Sequence, residues 1–487
     1  MPAPAKAAAP AAPAASEPSS PASAAVLAPA LAEPAAPQAL GGGLKQRHLS
    51  MMALGGVIGA GLFVGSGAGI AAAGPAILIS YVLAGALIML VMRMLGEMAA
   101  AMPASGSFSV YAERALGRSA GFTTGWLYWA LIAMGVAVEA IGAAKILAGW
   151  LPAVPEWSFV LVLMVVVTLA NLASVGFFGE VEFWFAGIKV AAIVLFLGLG
   201  ALAIFGVLPD TDPVGFANLT GDGGFLPNGW AGVVTGLLAA VFAFGGLEVV
   251  TIAAAESDDP RGAVARAVRT AVWRIALFYI GSMAVVVTLL PWDAAEVGAS
   301  PYTAVLDRIG IAGAGQIMNV IVLLALVSAM NANVYNTSRM LFSLCGRGEG
   351  PRALLKLSRR RVPYLTVLAS VAFGFVSVVF SFVWEDTVFT YMLNAVGAVL
   401  LVVWGLIAAS QLRLRYRLER ENGGELPVRM WGFPYLSWLA LAGIAAVLVL
   451  MLRDPATREQ VLWTAGLTLA LAAVTPVRTW FAGRAQR

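Results

Sequence analysis

Between residues 49 and 481 the chain alternates long apolar runs with short polar joints. Runs of about 20 residues, enough to cross a hydrocarbon core of about 30 Å as a helix, fall at 49–72, 76–101, 120–150, 157–175, 181–206, 231–255, 273–291, 315–344, 364–384, 388–410, 433–452 and 460–481. The pattern predicts twelve transmembrane helices. Two of them are interrupted. The first carries Gly55, Gly56, Gly59 and Gly61 in a charge-free stretch, Leu49 to Pro75, and the sixth carries Gly245 and Gly246 followed by Glu248. Glycine in a helix costs about 1 kcal/mol relative to alanine, so these runs predict helices that break at mid-membrane depth. Exposed backbone at that depth is tolerated only against protein or a water-filled cavity. Two broken helices at corresponding places in two halves of a chain are the pattern of a transporter binding site.

The breaks divide the apolar region into two halves of five spans with two spans appended. An odd number per half inserts the halves in opposite directions, which predicts an inverted repeat and alternating access. The expected organisation is a disordered Ala/Pro/Ser tail at 1–43 and a membrane domain at 44–487. Within that domain, 44–206 is the first repeat, 230–410 the second and 433–481 the last helix pair. The tail lacks the basic start and apolar core of a secretory signal.

Composition agrees, with 60% hydrophobic and only 11% charged residues and a mean hydropathy of +0.87, which no soluble domain approaches. The basic residues set the orientation. Lys45 and Arg47 precede span one, Arg114 and Arg118 follow span two, and Arg261, Arg266 and Arg269 follow span six. Six more, Arg347 to Arg361, follow span eight, and five, Arg413 to Arg429, follow span ten. The alternate joint at 207–229 holds Asp210, Asp212 and Asp222 without a Lys or Arg. By the positive-inside rule both termini are cytoplasmic, so the basic runs reflect topology and not nucleic-acid binding. A single cysteine, Cys345, and a single histidine, His48, leave no disulfide within the chain and no histidine cluster for a metal, and there is no phosphate-binding GxxxxGK[ST] loop. No acid or histidine cluster at a membrane face supports a membrane-bound transferase.

Candidate chemistry lies in the spans. A break at Gly55–Gly61 creates a half-helix N-terminus that suits a carboxylate, while the freed carbonyls suit an ammonium, so one broken helix can read both ends of a zwitterion. The alternative is that these glycines only permit close packing, for which Gly55 and Gly59 have the right spacing. Glu248 falls in the first turn after the second break, where it either braces the helix or senses a proton. Lys189 sits among apolar residues in span five. A charge there costs about 2.5 to 3.5 kcal/mol on insertion scales, so it either exchanges the coupling proton beside a partner or snorkels to the headgroups. Glu139, deep in span three, either faces a substrate cation or pairs within the bundle, and Lys145 is expected to snorkel. In span eight, Asn331, Asn333, Tyr335, Asn336 and Ser338 either hydrogen-bond between helices or line a cavity.

The strings GGLKQRHLSMMALGGVIGAGLFVGSG, AGPA, MRMLGEMA, GSFSVYAERALG, GWLYW, GEVEFW, GGFLPNG and AAAESDDP resemble the amino acid permease family of the amino acid, polyamine and organocation superfamily. The likeness runs from about Gly41 to the C-terminus. Within the family, GEVEFW, GGFLPNG, TIAAAESD and LLPW are similar to bacterial 4-aminobutyrate (GABA) permeases. The resemblance implies an all-α membrane fold of five plus five helices and two more. It also implies uptake of a small-molecule amino acid across the cytoplasmic membrane, with the proton as coupling ion, no cofactor and no nucleic acid. An amino acid exchanger and a non-transporting amino acid sensor are alternatives on the same fold. By position, Gly59, Ala60 and Gly61 would hold the substrate carboxylate, and Val57 with the backbone at Ala243 and Gly245 the amine. Phe242 would be an aromatic gate, and Lys189 would replace the sodium ion of other relatives. Where many relatives have serine this chain has Ala60, so any contact to the carboxylate there must come from backbone. Oligomeric state is not legible.

Overall fold

The computed structural model describes residues 58–102, 107–173, 175–209, 213–221, 223–248, 259–359, 361–384, 387–421 and 423–485. The chain divides into Met1–Ala36 and Pro37–Arg487. The first unit, the rest of the expected tail, Gly55, Gly56, Val57 and Glu256 lie outside the described residues. Among the described residues every regular element is helical.

Span one appears as α1 (Ala60–Phe63) and α2 (Gly65–Ala73), and span two as α3 (Ile77–Ala101). An unpredicted short helix, α4 (Ser107–Leu116), leads into α5 (Arg118–Trp150), which is span three. The corner between them is Gly117 at φ +101°, a conformation glycine adopts without strain. Spans four and five are α6 (Glu156–Ala173) and α7 (Val175–Ile204). After the short α8 (Ala217–Thr220) comes α9 (Gly229–Phe244), the first half of span six. Span seven is α10 (Pro260–Arg274) and α11 (Gly281–Leu289), joined by a π-helical turn over Ile275–Ile280. Two short helices, α12 (Ala295–Ala299) and α13 (Pro301–Ile309), precede span eight, α14 (Ala314–Gly346). Spans nine to twelve are α15 (Tyr364–Val383), α16 (Val388–Glu421), α17 (Tyr435–Arg453) and α18 (Arg458–Ala485).

All twelve expected spans are thus represented by helices. Short α4, α12 and α13 escape a 20-residue apolar window because none is long enough to fill one. Several boundaries move. Span five begins at Val175 and not at 181, span seven at Pro260 and not at 273, and span ten runs to Glu421 and not to 410. In spans seven and ten the extension is a polar helical end that hydropathy alone assigns to a joint, and in span five it is the short stretch VGFFGE. Large apolar side chains such as Leu169, Leu195, Trp463 and Leu469 remain exposed on the outer surface, as lipid contact requires.

The last helix pair is fastened by a buried polar cluster. Glu97 on α3 forms an ion pair with Arg415 of α16, accepts 2.7 Å from Gln411 Nε2, and accepts 2.5 Å from the Met430 N–H before α17. Ser437 of α17 then donates to Gln411 Oε1 at 2.9 Å. Every acceptor lone pair that Glu97 uses meets a donor, which is the condition for burying its charge.

Candidate functional site

The break in span one is built by Gly59. Its backbone (φ −149°, ψ −147°) is extended, and the helical ladder begins only when the Leu62 and Phe63 N–H groups turn back onto its carbonyl at 3.2 and 3.3 Å. The N–H groups of Gly59, Ala60 and Gly61 therefore precede the ladder. Glu139, only 6% exposed, reaches across from α5 and accepts the Ala60 N–H on Oε2 at 2.9 Å. A Cβ on Gly59 would strike Glu139 Oε1 and stand 3.0 Å from Ala329 Cβ of α14, so the close approach of spans one, three and eight depends on glycine there. Glu139 therefore pairs within the bundle, and its partner is backbone. The N–H that sequence reasoning reserved at Ala60 for a ligand is engaged by the protein's own carboxylate.

The second break follows Phe244. Gly245 leaves the helix at ψ 134° and Gly246 takes φ +94°, so the pair turns the chain before Leu247 and Glu248 resume helical geometry. The Gly246 N–H donates to both oxygens of Glu248 at 3.2 Å, and Tyr128 of α5 is a hydrogen-bond partner of the same carboxylate. This is the bracing arrangement. The two breaks touch, since a Cβ on Gly61 would lie 2.5 Å from Ala243 Cα and 3.0 Å from Phe242 Cδ1. Phe242 itself is half-buried against this seam.

One face of α5 serves both breaks. Tyr128, Gly135 and Glu139 are spaced by seven and four residues, so they line up along the helix, with Glu139 about 16 Å from Tyr128 along the axis. Asn333 of α14 faces Gly135, with Nδ2 3.3 Å from where a Cβ would stand, one turn from Glu139. The rest of the polar stretch in span eight largely bonds locally or between helices. Asn331 accepts from Asn171 of α6 at 2.7 Å, Ser338 donates to the Tyr335 carbonyl at 2.8 Å, and the Arg339 guanidinium stacks on the Tyr335 ring.

Lys189 is 1% exposed and pairs with Glu182 at 3.7 Å. Its ammonium is thus engaged inside the bundle and does not snorkel. Glu182 also accepts from Ser328 Oγ of α14 at 2.6 Å, and Lys189 and Glu139 feel each other's charge. The arrangement is a line of buried groups, from the Ala60 N–H through Glu139, Lys189 and Glu182 to Ser328. Lys145 has a different role, half-buried with its ammonium 5.4 Å from the centre of the Phe389 ring.

Glu182 was missed by sequence reasoning, although its signal is present. Seven residues before Lys189 is two turns, or a rotation of only about 20° off register, and helical side chains lean toward the N-terminus, so the lysine leans toward the acid. Tyr128 and Ser328 carry no such signal, because tyrosine and serine are unremarkable in a membrane helix.

A family model described as "Amino acid permease" matches residues 48–480. The "Gamma-aminobutyric acid permease" of Bacillus subtilis is 48% identical over 425 residues, 87% of this chain and 91% of that protein. The protein of the same name from Escherichia coli is 45% identical over 442 residues, 91% of this chain and 95% of the relative. The "Aromatic amino acid transport protein AroP" of Corynebacterium glutamicum is 50% identical over 428 residues, 87% and 92% of the two chains.

Proposed function

This chain belongs to the amino acid permease family and is an amino acid transporter, and on that premise we propose that it imports a zwitterionic amino acid, with GABA the first candidate, in symport with a proton. The observation that carries the reading is the line of buried charge beside the two breaks. Glu139 and Glu182 face Lys189, all at most 6% exposed. With every group charged, the set is one negative charge in excess. A zwitterion adds none, so one proton brings the loaded site to neutrality, and a neutral site is the one least costly to carry through the low-dielectric middle of the fold.

The substrate carboxylate is held by the N–H groups of Gly59 and Gly61, joined by that of Ala60 once Glu139 gives it up. The amine is held by the backbone carbonyls of Val57, Ala243 and Gly245. Phe242 closes the seam. The proton belongs to the coupled set of Glu139, Lys189 and Glu182 and not to one member. Lys189 holds the two acids together, and neutralising Glu139 loosens its hold on Ala60 in exchange for the substrate carboxylate. The two halves, 44–206 and 230–410, form the inverted repeat, and rocking of one against the other exposes the breaks to each side in turn. Both termini are cytoplasmic and the membrane is the bacterial inner membrane. One charge moved through about 100 mV supplies about 2.3 kcal/mol, or nearly fifty-fold accumulation.

A second substrate reading, an aromatic amino acid, is favoured by the 50% identity to the aromatic transporter. Backbone groups read only the zwitterion that the two substrates share. The test is uptake by purified protein in proteoliposomes, comparing labelled GABA with labelled phenylalanine, with and without an inward proton gradient. Accumulation of GABA only with the gradient is expected. Gradient-independent exchange without net uptake would replace symport with antiport, phenylalanine flux without GABA flux would move the substrate, and binding without flux would leave a sensor.

A further inference from the structure

We propose that the hydroxyls of Tyr302, Ser282, Tyr279 and Tyr81 form a proton relay that delivers the coupling proton to Glu139. The inference rests on the proton-symport reading and adds the path by which the proton arrives.

The four side chains are fully buried; among the described residues the hydroxyls of Tyr81 and Tyr279 have no hydrogen-bond partner, and those of Tyr302 and Ser282 approach only each other. They come from four separate elements: Tyr81 from α3, Tyr279 from the π-helical turn of span seven, Ser282 from α11 and Tyr302 from α13. Aromatic contacts fix their rings around the breaks. Tyr81 and Tyr279 both pack on Phe244, the last residue before the span-six break, with ring centres 5.7 and 4.9 Å away. Tyr302 packs on Phe63 of α1 at 4.9 Å and on Phe196 of α7 at 4.4 Å. The phenols also act on one another electrostatically, with Tyr302 close to Ser282, Tyr81 and Tyr279.

Leaving a buried hydroxyl unsatisfied costs about 1 to 3 kcal/mol, so a group of hydroxyls this poorly satisfied is a large penalty to retain beside a binding site. A phenylalanine or alanine at each position would remove it. The hydroxyls are there because something polar passes between them. Each can accept a proton on its oxygen while giving up its own, so a proton entering at one end leaves at the other with every phenol and the serine restored. Water held among these hydroxyls completes the contacts. The charges around the group set its direction. Glu139 of α5 and Arg274 of α10 both act on Tyr279, and Lys189 acts on Glu139 from α7. Glu139 is the acceptor at the inner end. At the outer end, Tyr302 belongs to the 290–313 connection, which is extracellular in the proposed orientation. The π turn that carries Tyr279 is a geometry that recurs at functional positions.

Tyr279→Phe and Tyr302→Phe remove the hydroxyls and keep the rings that pack on Phe244 and Phe63. In proteoliposomes, a pH-sensitive dye reads proton entry on addition of GABA or phenylalanine, and labelled-substrate counterflow at zero gradient reads exchange. Each variant is expected to lower substrate-driven proton entry and gradient-driven accumulation at least ten-fold, with counterflow within two-fold of wild type. Undiminished proton entry in both variants would overturn the relay, and so would a parallel loss of counterflow, which would mark the phenols as structural. A wild-type protein that moves substrate without protons would instead overturn the symport reading.

Discussion

The ion pair in span five gives the sharpest test. At 3.7 Å, with both side chains 1% exposed, Lys189 and Glu182 attract by about 4.5 kcal/mol at an effective dielectric of about 20. Lys189→Met takes from Glu182 its counter-charge and Glu182→Gln takes from Lys189 its nearest one, and each is expected to destabilise by about 3 to 5 kcal/mol. The double variant removes both charges, and glutamine still accepts from Ser328, so most of the loss should return. Detergent-driven unfolding of the four proteins gives the coupling energy directly, expected near 4 kcal/mol. Uptake adds a second reading. Lys189→Met should abolish uphill accumulation, and the double variant should recover stability without recovering proton coupling. Additive losses in the double variant would show that the two groups do not depend on each other. Full proton-coupled accumulation by Lys189→Met would reject the place of Lys189 in the coupling set.

Two other expectations follow from contacts elsewhere. Gly61→Ala places a Cβ 2.5 Å from the Ala243 backbone, so spans one and six must separate, and uptake should fall at least ten-fold in protein that still purifies intact; wild-type uptake would show that the seam is not the binding region. Glu97→Gln removes the charge that faces Arg415 and should cost about 2 to 3 kcal/mol of stability, with KM for GABA within two-fold of wild type; unchanged stability would mean that the cluster does not fasten the last helix pair.

Apolar run length made the helices legible, because a bilayer leaves the backbone no other economical way to satisfy itself. The same measure misplaced the ends of spans seven and ten, where polar residues continue a helix past the apolar core, and the start of span five. The breaks were legible from glycine, and the closeness of Gly61 to Ala243 adds that the two interruptions meet. Lys189 and Glu139 were visible as charges in apolar surroundings, but their partners were not. Whether Lys189 snorkels turned on its pairing with Glu182 inside the bundle, which hydropathy does not weigh. That Glu139 caps Ala60 is a long-range contact between side chain and backbone, for which one sequence holds no trace. The phenols were invisible for another reason: tyrosine inside a membrane helix reads as an apolar residue, and only burial shows that its hydroxyl lacks a partner.

Because Lys189 and Glu182 stand two turns apart on a single helix, their pairing needs no neighbour. A lone lysine or acid at the centre of a span opposes its insertion by about 2.5 to 3.5 kcal/mol, yet these two can meet as soon as the helix forms. Lys189 and Glu182 can therefore enter the bilayer during synthesis with their charges already paired, ahead of the helix that later supplies Ser328. The transport chemistry of span five is carried into the membrane already paired, so the order in which the other spans arrive need not be tuned to shelter it.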